Sequence, residues 1–85
     1  MDQANATPEF ADHFARCIQV LGGVTASARR LGIDERAIRR FINGERPISE
    51  RLMRDTANAL RQLAAEATEA EREIASILPP LTDKT

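Results

Sequence analysis

Eighty-five residues, 42% hydrophobic and 29% charged with a net charge of −1, are enough for one small globular domain with a limited core. The chain holds no apolar run long enough to span a membrane and no basic start followed by an apolar stretch, which leads us to expect a cytoplasmic protein without a secretory signal. A single cysteine, Cys17, excludes an internal disulfide.

Alanine, arginine, glutamate and leucine dominate, and no window alternates β-branched residues. This composition predicts an all-α bundle of four to five helices. Residues 1–6 are polar and expected to be a flexible N-terminus. Thr7-Pro8-Glu9 then reads as a helix start, with Thr7 as the cap. Phe10, Phe14, Cys17 and Leu21 follow at spacings of 4, 3 and 4 and form one apolar face, which Gly22-Gly23 ends. Thr25 is the expected cap of a short second helix through Leu31, closed by Gly32. Asp34 is placed to cap a third helix over 35–43, with Ala37, Ile38, Phe41 and Ile42 on its apolar side. Pro47 keeps Arg46 out of helical geometry, so residues 45–48 read as a loop. Ser49 caps the next helix, and neither Gly nor Pro interrupts the chain from there to Leu78. Thr68-Glu69-Ala70-Glu71 fits a capping box, which favours a break or kink near Thr68 over one long helix. Pro79-Pro80 stops the helix, and residues 82–85 are expected to be a flexible tail.

The charge is unevenly spread. Residues 29–54 carry eight arginines against four acids, a net of +4, while residues 1–28 sum to −2 and residues 55–85 to −3. Eleven of the twelve basic side chains are arginine, whose planar fork suits phosphates and base edges. Around the turn at Gly32 lies a spacing with a physical logic: small Ala28 where two helices cross, Gly32 where the chain turns left-handed, and Leu31, Ile33 and Ile38 filling the wedge. That arrangement leaves Glu35, Arg36, Arg39 and Arg40 on the side of helix 3 away from the wedge.

The stretch TASARRLGIDERAIRRFINGERPISERLMRDTANAL, within residues 20–63, resembles the Cro/cI-like (XRE) helix-turn-helix DNA-binding family. The NGERPISERL segment strengthens the likeness, because these proteins often follow the recognition helix with a Gly-x-Arg-Pro-Ile loop. The resemblance implies a lambda repressor-like fold over residues 7–63, with helix 3 entering the major groove of double-stranded DNA. By position it implies base contacts from Glu35, Arg36, Arg39 and Arg40, and phosphate contacts from Thr25, Arg29, Asn43 and Arg46. Glu35 departs from the family pattern, where a neutral polar residue is common. Its carboxylate repels phosphate unless it accepts from cytosine or pairs with Arg39, four residues on, and the pair is the favoured reading. The resemblance also implies a homodimeric repressor on an inverted-repeat operator. A run of Met53, Ala57, Leu60, Ala64, Ala67, Glu71, Ile74 and Leu78 at heptad-like spacing places the dimer contact in residues 64–81, with Ala67, Ile74, Ile77 and Leu78 as its expected members.

Competing readings have less behind them. Arg29 and Arg30 can be solvated surface, and Arg51 and Arg54 can pair within the chain. His13 and Cys17 are four apart, but two ligands do not make a metal site. One histidine, no Ser-His-Asp set and no Gly-rich phosphate loop argue against an enzyme, and no cofactor is implied. The alternative from another class is a protein-interaction module, antitoxin-like, whose C-terminal helix binds a protein partner while DNA binding is secondary or lost.

Overall fold

The computed structural model describes residues 8–81, and among them the chain is entirely helical and loop, without a strand. Four helices follow in order: α1 (Pro8–Val20), α2 (Val24–Leu31), α3 (Glu35–Ile42) and α4 (Glu50–Ile77). None is long and apolar enough to cross a membrane. The expected flexible N-terminus, the cap at Thr7 and the tail at 82–85 lie outside the described residues.

The core forms where the apolar faces of α1, α2 and α3 meet the start of α4. Phe14, Ile18, Ile38 and Ile48 are its buried centre, with Phe10, Val24, Ala28, Leu31 and Phe41 among the partly buried side chains around it. On α1 the expected face is shifted by one residue. Phe14 and Leu21 are buried, but Ile18 takes the inner position and Cys17 lies at the edge. The rings of Phe14 and Phe41 meet edge to face at 5.8 Å, which joins α1 to α3. Ile48 was expected in a loop, and its backbone is one. Its side chain is nonetheless buried, so the Pro47-Ile48 segment hooks the loop into the core before α4 begins.

The helix ends follow from local chemistry. After α1, Gly23 sits at φ 104°, ψ −177°, a region essentially reserved for glycine. Gly23 itself, not Thr25, stands at the cap position of α2, and Thr25 is the second residue of that helix. The shift arises because Gly23 N–H bonds back to the Ile18 carbonyl at 2.8 Å and the chain re-enters helical geometry at once. Ser27, fully buried, donates its hydroxyl to that same Ile18 carbonyl at 3.3 Å and so fastens α2 to the end of α1. Asp34 occupies the cap position of α3 without a side-chain hydrogen bond, whereas Ser49 Oγ accepts from Leu52 N–H at 3.1 Å and caps α4.

The expected break near Thr68 does not occur, and α4 is continuous over 28 residues, about 42 Å at 1.5 Å per residue. The Thr68 hydroxyl donates to the Ala64 carbonyl at 2.9 Å, one turn back. That bond occupies the group that a capping box would turn toward the following N–H groups. Only the first half of α4 packs on the bundle, against α1 and α2, and every residue from Ala64 to Leu81 is exposed. The radius of gyration, 17.3 Å, accordingly exceeds the roughly 12 Å of a compact chain this long.

Candidate nucleic-acid interface

The turn between α2 and α3 is built as its spacing predicts. Gly32 adopts φ 69°, ψ 32°, and the N–H groups of Gly32 and Ile33 both bond to the Ala28 carbonyl, at 2.8 and 3.2 Å. This closes the last turn of α2 on the Ala28 carbonyl and redirects the chain within two residues. Ile38 is then fully buried, with Leu31 and Ile33 partly buried against the same core, and the inner side of α3 is fixed.

Fixing that side decides what the rest of α3 presents. At 100° per residue, Arg36 and Arg40 lie within about 20° of the direction opposite Ile38, and Asn43 lies near them one turn on. All three are exposed. Arg39 and Glu35 lie on one flank, where Arg39 Nη2 meets Glu35 Oε1 at 3.3 Å. The pair expected from their spacing is therefore formed. Arg36 and Arg40 have no acidic partner within 4 Å among the described residues, so their charge faces solvent unneutralised.

Beyond α3, Gly44 N–H bonds to the Phe41 carbonyl and Glu45 N–H to the Arg40 carbonyl, which turns the chain sharply back. Arg46 then lies over the Phe41 ring, 5.3 Å from its centroid. The series Phe14, Phe41, Arg46 runs from the centre of the core to the surface, and it holds the loop guanidinium at the end of α3 without cancelling its charge. Sequence reasoning placed Arg46 but not this stack. The five-residue spacing from Phe41 across a turn was the available signal.

On α2, Thr25 and Arg29 are exposed. Arg30 is not free: its guanidinium grips Glu66 of α4 at 2.6 and 3.4 Å. That hydrogen bond, reinforced by the opposite charge, raises the Arg30 pKa and holds the Glu66 carboxyl below its ordinary value. No local pattern could reveal a contact between residues so far apart in the chain. Arg54 pairs with Glu50 at 2.6 Å along α4, the intramolecular alternative read from the sequence. His13 is exposed, Cys17 is half-buried, and no group of three or more His, Cys, Asp or Glu among the described residues is placed to hold a metal ion.

Arg29 on α2, Arg36 and Arg40 on α3 and Arg46 in the loop that follows are all exposed and stand without a salt bridge among the described residues. The remaining expected members divide in two. Thr25, Asn43 and the Glu35–Arg39 pair belong to the same elements, whereas Ala67, Ile74, Ile77 and Leu78 lie on the exposed half of α4. In comparisons with known proteins, no family model, curated protein or solved structure matches the chain.

Proposed function

We propose that this chain is a sequence-specific DNA-binding regulator of the Cro/cI-like helix-turn-helix type, in which α2, the Gly32 turn and α3 are the DNA-binding unit. The observation that carries the reading is the outward face of α3, where Arg36 and Arg40 project opposite buried Ile38 with no acid among the described residues to neutralise them. An eight-residue helix braced by a second helix has the width of the major groove, and arginine forks match guanine edges. Arg29 and Arg46 flank that helix and supply charge for the phosphate backbone, and the uncapped N-terminal N–H groups of α2 around Thr25 add to it. Glu35 restrains Arg39 rather than reading a base. Two copies on an inverted repeat would act as a repressor by occluding the promoter.

The test is duplex binding at rising salt. Phosphate neutralisation makes log K fall linearly with log salt, with a slope of about −0.9 per phosphate engaged. Selection from a random duplex pool then returns the operator. No affinity for any duplex at low salt removes this reading. It would favour the second one, a protein-interaction module, which rests on the exposed apolar side chains Ile74, Ile77 and Leu78.

A further inference from the structure

The three arginines of α3 are not equivalent in the folded chain. Arg39 Nη2 meets Glu35 Oε1 at 3.3 Å, one turn back along the same flank. Arg36 and Arg40 are exposed and stand without a salt bridge among the described residues. They lie one turn apart on the outward face, about 6 Å along the helix axis, on either side of the direction opposite buried Ile38. The sequence alone offers three arginine readers on this helix, and the structure divides them into two open forks and one that is engaged.

An open fork is selective in the major groove. A guanidinium carries N–H donors in a fixed fork and no acceptor. Guanine presents two acceptors, O6 and N7, side by side. Adenine presents one acceptor beside a donor, thymine one acceptor beside a methyl group, and cytosine a donor. Guanine is therefore the base that accepts from both arms of the fork. The spacing of the two forks then sets the spacing of the bases. Base pairs rise about 3.4 Å, so a separation of about 6 Å along α3 projects onto fewer than two steps of the duplex, however the helix is inclined.

Arg39 faces a cost that the other two do not bear. Gripping a base through both terminal nitrogens draws Nη2 away from Glu35. The released carboxylate then stands in a groove of N7, O6 and O4 acceptors flanked by phosphates. At the free surface such a pair contributes little, but its loss weighs more where the groove displaces water. We infer that this chain recognises a half-site marked by two guanines, on either strand and within three consecutive base pairs, one read by Arg36 and the other by Arg40, and that Arg39 reads none. This rests on the DNA-binding reading above and narrows it to a class of duplex.

The test begins with selection of duplexes from a random pool by the full chain. Each guanine of the recovered half-site is then changed, once to adenine together with its complement and once to 7-deazaguanine, which lacks the N7 acceptor. For the parent chain, the change to adenine at either guanine should weaken binding about 5- to 150-fold, and the 7-deaza base should weaken it in the same direction by less. Arg36→Ala should lose the discrimination at one of the two positions and Arg40→Ala at the other, while Arg39→Ala keeps both. All three side chains are exposed, so helical content should stay at the parent's. A defined half-site without two guanines at this spacing overturns the inference, as does an Arg39→Ala chain that loses discrimination at either guanine. Steep salt dependence without base preference overturns it while leaving the DNA-binding reading in place. Absence of affinity for any duplex at low salt overturns both.

Discussion

Gly32 offers the cleanest separation of backbone cost from packing cost. Its φ of 69° and ψ of 32° lie in the left-handed region, and a Cβ built there meets nothing within 4 Å. Any penalty on substitution is therefore conformational. An L-residue held in that region costs about 1–2 kcal/mol, and replacing glycine by alanine recovers about 0.4–1 kcal/mol by restricting the unfolded chain. Gly32→Ala should thus destabilise by roughly 1 kcal/mol. A β-branched side chain is a stronger outlier, and Gly32→Val should approach 3 kcal/mol. Asparagine tolerates the left-handed region, so Gly32→Asn should lose least. For a domain of this size each kcal/mol lowers Tm by about 4–8 °C, which places the alanine variant about 4–8 °C and the valine variant about 10–20 °C below the parent. Thermal unfolding by circular dichroism at one fixed chain concentration reads the order Asn, Ala, Val. A valine variant that melts with the parent refutes the turn as described. An asparagine variant that melts below alanine shows that side-chain volume, not φ, sets the cost.

Three further outcomes are expected. Arg36→Ala should cost about 1–3 kcal/mol on the selected operator and relax preference at one base pair per half-site, with Arg39→Ala costing less because Glu35 already shares its charge; Arg46→Ala should weaken specific and nonspecific duplexes alike, and unchanged base preference in both helix variants would remove α3 from the groove. Ile74→Glu would place a carboxylate in the contact between copies, so sedimentation should report monomers while helical content falls only modestly; a dimer that survives both this change and Leu78→Glu has its interface elsewhere. The depressed Glu66 pKa means that its tie to Arg30 is at full strength above the ordinary carboxylate range and is lost as pH falls through the lowered value. A carboxyl titration by NMR should show Glu66 below the other glutamates and moving up to join them in Arg30→Ala, with little change in Tm, since exposed pairs contribute little.

What could be read from the chain beforehand follows the range of the interaction responsible. The Gly32 turn, the burial of Ile38, the Ser49 cap and the Glu35–Arg39 pair all arise within one or two helical turns, and each was legible. Thr25 and Thr68 were misassigned for a common reason. A threonine near a helix boundary has two uses for its hydroxyl, and which one prevails depends on neighbours that local spacing does not show. At Thr25 the glycine before it takes the cap, and at Thr68 the carbonyl of Ala64 takes the proton. Ile18 was missed because Phe10, Phe14, Cys17 and Leu21 already made a complete stripe, and only the direction from which α4 approaches decides which edge of that stripe is inward. Ile48 and the Arg30–Glu66 contact depend on where distant segments fold back, and no pattern in either segment encodes that.

The protruding half of α4 has a thermodynamic consequence of its own. Within one chain, the residues beyond Leu63 keep their helical hydrogen bonds on local propensity and on continuity with the packed half, since all of them are exposed and what ties them to another element is the surface pair of Glu66 with Arg30. Opening of those bonds should therefore become progressively easier from Leu63 toward Ile77, and amide exchange should record a gradient along a single helix rather than one cooperative unit. The bundle end of α4 exchanges with the global stability of the domain, and the far end exchanges on the timescale of fraying. A single uninterrupted rod should thus hold both slowly and rapidly exchanging amides.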